Sequence, residues 1–278
     1  MELTFLVDNN SLVGNYFLAE PGLSMLIEDD GLRVLFDAGY TDAFLINARR
    51  MGIDMLHLDR IVLSHGHFDH TWGLDALIRH HFESVSQKMD VTRPELVAHP
   101  HAVTSKSGRE RAETGMLMSE DKLARHYPLT LTREPVQLTE RLVVLGEIER
   151  VLDFDQPAPF GDRHDPEGSI KDPLVDDTAM AYVSDQGLIV IAGCAHSGIC
   201  NTVEQAKRVT GVDNVHTVLG GFHLQDAKPE RLDPTTDYLA ALELESLYCC
   251  HCTDLAAKIA LARKCPVKEV GSGLKLSF

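Results

Sequence analysis

The chain reads as a layered α/β protein, and three features of its 278 residues support this. Short apolar runs alternate with stretches of helical spacing from Arg60 onward. The composition, 44% apolar and 24% charged, is that of an ordinary globular chain able to bury a core. Several strands end in His, or in His with Asp or Cys, and strand ends are where sheet proteins assemble their sites. The length suits one continuous core, so a single domain over 1–278 is expected, with an insertion or lid at about 84–165.

The elements follow in order. Leu3 to Val7 is a strand. Ser24 to Glu28 and Arg33 to Asp37 form a hairpin, because Asp29-Asp30-Gly31 between them is a turn signal. Thr41 to Met51 carries Phe44, Leu45, Ala48 and Met51 at helical spacing, with Gly52 as its cap, and Arg60 to Ser64 is a buried strand. A helix is expected from Thr71 to Phe82. The text from Ser84 to Asp165 is less regular, with strands at Leu96 to Ala98 and Leu142 to Val144. Strands return at Ala179 to Ser184, Leu188 to Ala192, Val215 to Leu219, Ser246 to Cys250 and Lys268 to Phe278. Helices are expected at Asn201 to Thr210, Thr235 to Leu244 and Thr253 to Arg263.

Charge and cysteine usage narrow the function. The 26 basic residues against 42 acidic ones give a net charge of −16, a field that repels polyphosphate backbones and anionic lipid heads. Nucleic acid and membrane are therefore not expected as partners; a small-molecule substrate is, and a homo-oligomer stays open. Cys194, Cys200, Cys249, Cys250, Cys252 and Cys265 are no disulfide framework for a chain this long and fit a reducing compartment. The N-terminus is acidic where a signal peptide is basic, and no apolar run approaches the roughly 20 residues that span a bilayer, so a cytoplasmic location is expected.

The densest chemistry is His65-Gly-His-Phe-Asp-His70, on the loop between a buried strand and a helix. Three imidazoles and a carboxylate on so short a loop suit a divalent cation, whose ligands are neutral imidazole nitrogen and carboxylate oxygen. The plainer reading, a solvated His-rich loop, does not account for this spacing directly after a strand. His80-His81 and His99-Pro-His101 lack partners at defined spacing and are expected at the surface.

With these residues in view, the sequence resembles the metallo-β-lactamase superfamily, whose His-x-His-x-Asp-His motif is matched by His65, His67, Asp69 and His70. Within it, the chain resembles the branch named for 7,8-dihydropterin-6-yl-methyl-4-(β-D-ribofuranosyl)aminobenzene 5′-phosphate synthase. The strings that carry this are Gly146-Glu-Ile148, Asp176-Asp-Thr-Ala179, Gly193-Cys-Ala-His-Ser-Gly-Ile199, Gly220-Gly-Phe-His-Leu224, His251-Cys-Thr253 and Val270-Gly-Ser-Gly-Leu274. The resemblance implies an αββα sandwich of two mixed β-sheets with helices outside. It also implies two divalent metal ions, zinc first with manganese or iron as alternatives. The positions of His65 and His67 would hold the first ion, and those of Asp69 and His70 the second. Where many members carry Gly-Asp with a bridging carboxylate, this chain has Gly193-Cys194, and where they carry Gly-His-Thr it has Asp177-Thr178. His196 is then the expected replacement ligand for the first metal and His251 the ligand for the second. His223 stands either as a ligand or as a general acid or phosphate-binding group, which makes Asp69 and His223 the candidate catalytic residues. Asp177 is read as a ligand, a group holding one, or a turn residue. Cys194 is read as a ligand or a buried apolar thiol.

The implied activity is metal-dependent hydrolysis or group transfer on a small, phosphorylated, pterin-like or phosphoester substrate. Lys106, Arg109 and Arg111 would supply counter-charges. A di-iron redox protein and a non-catalytic binding module on the same fold are the rivals. Strand alternation sends Cys250 and Cys252 to the face opposite His251, so these cysteines are expected to pack and not to ligate.

Overall fold

The computed structural model describes residues 1–108, 110–156 and 159–278, so Arg109 lies outside the described residues. Contacts divide the chain into two compact units. The first comprises Met1–Thr132, Phe160–Asp176 and Gly271–Phe278, and the second Arg133–Pro159 and Asp177–Val270.

In the first unit a seven-stranded mixed sheet runs in the order Lys275–Ser277, Glu2–Val7, Ser24–Asp29, Leu32–Phe36, Arg60–Val62, Glu95–Ala98, Leu129–Leu131. Pairing is antiparallel as far as Leu32–Phe36 and parallel beyond it. The expected hairpin is present, and its tight turn places both Asp30 (φ 50°) and Gly31 (φ 79°) in the left-handed region. Helix Ala43–Arg50 buries Phe44 and Ala48, four residues apart, and helix Leu74–Ser86 buries Leu74 and Leu77. These faces close a core with Leu6, Leu26, Leu35, Leu63, Leu96 and Tyr127. Each fully buried Leu or Phe contributes about 1.5–3 kcal/mol. The strand expected from Lys268 to Phe278 is confined to Lys275–Ser277, because Gly271-Ser-Gly273 turns. There Ser272 N–H donates to the Asn10 carbonyl and Gly273 N–H to that of Phe5. A small sheet, Gly168–Lys171, Asp162–Asp165 and Ser105–Ser107, completes this unit.

The second unit has a six-stranded sheet in the order Ser246–Cys250, Val215–Gly221, Gly187–Ala192, Ala179–Ser184, Leu142–Val144, Val136–Gln137. Its first three strands are parallel and the rest antiparallel. Helix Ile199–Thr210 buries Ile199, Val203 and Ala206 on one stripe against Val190, Val218 and Phe222. The helix expected from Thr235 starts at Pro229, whose preset φ suits a first turn, and runs through Pro234 to Ala241.

The α/β architecture with two mixed sheets is thus as expected. The stretch 84–165 is shared out: Glu95–Ala98 and Leu129–Leu131 join the seven-stranded sheet, while Val136–Gln137 and Leu142–Val144 join the six-stranded one. Among the described residues, no helix is long and apolar enough to cross a membrane.

Candidate metal-binding sites

In the first unit the motif loop leaves the parallel strand Arg60–Val62. A Cβ on Gly66 would lie 2.4 Å from the Ala102 carbonyl oxygen, so only glycine lets the loop pass here. The Gly66 N–H donates to Asp176 (2.9 Å), and Lys106 Nζ donates to both Asp176 (2.9 Å) and Asp172 (2.6 Å). Lys106 is 1% exposed. Burial works against its charge, but Asp176 and Asp172 outweigh this and raise its pKa above the usual lysine value. Burial likewise works against the Asp176 carboxylate, and the Lys106 charge prevails and lowers its pKa. Lys106, expected as a counter-charge for substrate, is therefore committed to bracing the motif from behind.

The donors themselves are close. His65 Nε2 lies 3.1 Å from His67 Nδ1, and donor atoms of His65, Asp69 and His70 all fall within 4.8 Å of one another. Burial, helped by the Lys106 charge, lowers the His67 pKa to about 4, which keeps the ring in the neutral, ligating form. Asp37, which sequence reasoning missed, organises this set. It sits at the end of Leu32–Phe36 with φ 59°, and its carboxylate accepts from Ser64 N–H (2.7 Å) and Ser64 Oγ (2.6 Å). The same carboxylate lies 2.6 Å from His70 Nδ1. That contact draws the proton of His70 to Nδ1 and leaves Nε2 as a lone-pair donor, 4.0 Å from Asp69. The available signal was a carboxylate directly after a strand and before a Gly turn. Imidazole nitrogens and a carboxylate oxygen at this spacing fit a divalent cation.

In the second unit the donors come from the ends of three parallel strands. Cys194 and His196 follow Gly187–Ala192, His223 follows Val215–Gly221, and His251 and Cys252 follow Ser246–Cys250. At each exit a non-glycine residue takes a left-handed backbone: Ala195 (φ 47°), His223 (φ 48°) and His251 (φ 52°). Such residues cost about 1–3 kcal/mol each and persist where surrounding structure holds them. Donor atoms of Cys194, His223 and Cys252 lie within 4.8 Å of one another, and the rings of His196 and His223 are 4.3 Å apart. His223 Nδ1 is buried with no hydrogen-bond partner among the described residues, which suits a cation as its missing partner.

Cys252 departs from the strand alternation expected of it, since its thiol gathers with Cys194 and His223. The left-handed turn at His251 ends strand alternation, and the Cys252 sulfur accepts from the His223 N–H at 3.1 Å. A Cβ on Gly221 would meet that sulfur at 2.7 Å. Burial opposes charge on Cys252, but hydrogen bonds with Cys194 and His223 and the imidazoles of His251 and His223 hold its pKa well below the thiol norm. The thiolate is the ligating form. Cys249, by contrast, is buried within the strand, where burial pushes it up to about 11.

Two carboxylates brace these loops. Asp177 accepts from Ser197 N–H (2.8 Å), next to His196. Buried Asp155 accepts from Cys200 N–H (2.7 Å) and faces Arg231 Nε at 3.4 Å, while Arg231 Nη1 donates to the His223 carbonyl (2.9 Å). Of the histidines expected at the surface, His99 is 2% exposed, and its Nδ1 accepts from His101 N–H to cap the turn Pro100–Val103. His80 and His81 are half-buried on helix Leu74–Ser86, and His81 Nε2 reaches the Met55 carbonyl at 2.9 Å.

Known proteins resemble this chain in sequence and fold. The family model described as the metallo-beta-lactamase superfamily matches residues 18–86. The 7,8-dihydropterin-6-methyl-4-(beta-D-ribofuranosyl)-aminobenzene-5′-phosphate synthase of Methanocaldococcus jannaschii is 33% identical over 257 residues, 87% of this chain and 84% of that protein. The chain belongs to the metallo-β-lactamase superfamily. Within the superfamily it falls in the branch of that synthase. An uncharacterized protein of the same organism, MJ0448, is 30% identical over 94% of each chain. The crystal structure of Tm1679, described as a metal-dependent hydrolase of the beta-lactamase superfamily, superimposes with a TM-score of 0.84 at 26% identity, covering 100% of this chain and 99% of that one.

Proposed function

We propose that this metallo-β-lactamase-superfamily chain performs metal-dependent hydrolysis or group transfer on a small, phosphorylated, pterin-like or phosphoester substrate. The observation that carries the reading is the His65, Asp69 and His70 donor set with His70 oriented by Asp37, in a chain whose relative is named a pterin-related phosphate synthase. The proposed ligands are His65, His67, Asp69 and His70 of the first unit and His196 and His251 of the second. His223, Cys194, Cys252 and Asp177 are further candidates. Two divalent ions, zinc first, are proposed. When bound, a divalent ion supplies Lewis acidity toward a phosphoryl or pyrophosphoryl centre and favours proton loss from water near neutral pH.

The chain's own residues do the rest. Asp37 and Ser64 hold His70 and His65 in fixed orientation. His67 is kept neutral by burial. His223, whose backbone carbonyl accepts from Arg231, is the residue we assign to proton exchange or to contact with a phosphate oxygen. The Cys194–His223–Cys252 set favours one second reading, an iron centre with redox chemistry.

Metal analysis and a visible spectrum of the purified protein, with assays on phosphate esters and pyrophosphates, test both readings. Zinc or manganese, no colour, and loss of metal and turnover in His67→Ala and His196→Ala are expected. Unchanged metal content in both variants rejects the ligand assignment, and a coloured iron protein without hydrolytic or transfer activity rejects the function.

A further inference from the structure

Beside the motif loop of the first unit lies a cluster of aromatic rings that the metal-binding reading does not use. Phe68 is the residue between His67 and Asp69. Its ring meets Tyr40 edge-on at 5.7 Å and Trp72 at 5.7 Å, and Tyr40 stacks on Trp72 at 5.5 Å with 30° between the planes. None of the three rings is fully buried, and Tyr40 is 37% exposed. The guanidinium of exposed Arg111 lies 5.3 Å over the Phe68 ring.

The turn that carries Arg111 is tied to this loop. Phe68 N–H donates to the Thr114 carbonyl (3.0 Å), and Trp72 Nε1 donates to the Gly115 carbonyl (2.7 Å). Arg111 has no carboxylate partner among the described residues, in a chain with 42 acidic side chains. Of the three basic residues expected to meet an anion, Lys106 is buried between Asp172 and Asp176, whereas Arg111 is presented on a ring face.

We infer that Tyr40, Phe68, Trp72 and Arg111 form a recognition surface for the planar aromatic or heteroaromatic part of an anionic substrate, with Arg111 pairing its phosphate. The inference rests on the metal-dependent reading of the adjacent motif and names what that site selects. A π-face accepts any planar ring. A guanidinium fork matches phosphate oxygens two at a time, and the Phe68 ring beneath Arg111 limits where it can sit in advance. Specificity then comes from a ring and an anion presented together.

Trp72 is the sole tryptophan of the sequence, so its emission reports on this surface alone. The metal-loaded protein is titrated with phenyl phosphate and, separately, with its two halves, phenol and inorganic phosphate. Phenyl phosphate is expected to change Trp72 emission saturably and to bind at least about tenfold more tightly than either half. Arg111→Met and Tyr40→Ala are each expected to weaken phenyl phosphate by about tenfold with metal content unchanged, and Arg111→Lys to fall between wild type and Arg111→Met. Equal affinity for phenyl phosphate and inorganic phosphate overturns the proposal. So does unaltered affinity in Arg111→Met and Tyr40→Ala, or an emission that does not respond. Probe binding as expected without turnover of any phosphorylated compound leaves this surface standing and removes the catalytic reading. Metal-dependent turnover with phenyl phosphate and phosphate binding alike does the reverse.

Discussion

The two units each carry a mixed sheet whose parallel strands end in metal-type donors, yet they hold those donors differently. In the first unit His65, His67, Asp69 and His70 fall within six consecutive residues, and buried charge braces them: Lys106 between Asp172 and Asp176, and Asp37 against His70. In the second unit the donors come from three separate strand exits, each with a left-handed residue, and the bracing acts largely on backbone, as where Arg231 grips the His223 carbonyl. The donor chemistry differs as well. Imidazole and carboxylate prevail in the first set, while the second adds the thiols of Cys194 and Cys252, which favour softer metals. A contiguous motif needs one well-supported loop; a dispersed set needs several strands in the right order and tolerates local strain at each exit.

The largest expected effect tests the buried charge. Lys106→Met leaves two carboxylates inside the first unit without their cation and is expected to cost about 3–5 kcal/mol in urea unfolding. Arg231→Met in the second unit should cost less, about 1–3 kcal/mol, since Arg231 is only partly buried and Asp155 keeps its backbone donors. Equal costs would abolish the distinction drawn between the units.

Next comes pH. His67 has a folded pKa of about 4 against an ordinary 6.5, so between those values the unfolded chain binds the extra proton. Stability of the metal-free protein is therefore full above about 6.5, falls as pH drops, and levels off near 4 after a total loss of about 3 kcal/mol from this group. Urea midpoints at pH 7 and 4.5, compared with those of His67→Gln, should show the difference. A slope identical in the variant would rule out His67 as its source.

The contrast in donor chemistry sharpens with cobalt as a spectroscopic substitute. Wild-type protein should show sulfur-to-cobalt charge-transfer absorption. Cys252→Ser should diminish it and lower cobalt affinity by at least about tenfold. An unchanged spectrum in Cys252→Ser and in Cys194→Ser would return both thiols to the role of packing. The smallest effect concerns strand exits. Ala195→Gly relieves a left-handed residue without touching a donor and should stabilise the chain by about 0.5–1 kcal/mol in thermal unfolding. A loss of stability there would mean that strain at this exit contributes little.

Much of this was legible beforehand, for identifiable reasons. The Asp30-Gly31 hairpin, the strands around Arg60, Leu96 and Leu188, and the motif at His65 depend on neighbours in sequence, and their signals are local. Other features were hidden by sequence distance. Lys106, in the polar segment Thr104-Ser-Lys-Ser107, resembles a solvated residue until partners 66 and 70 positions away enclose it. Strand alternation puts Cys252 opposite His251, but alternation ends at His251, where the backbone turns left-handed. His99 looked solvent-facing and is a buried cap.

By itself the sequence determined the α/β architecture, the superfamily and the close spacing of the motif side chains, since periodicity, turn chemistry and the run from His65 to His70 are written within short windows. Only the tertiary structure decided which carboxylate orients His70, that Lys106 braces the motif and so is withheld from substrate, and that Cys252 joins Cys194 and His223. Each of those outcomes depends on which strand ends and loops become neighbours in space, and burial then sets the charge and the partner of every group found there.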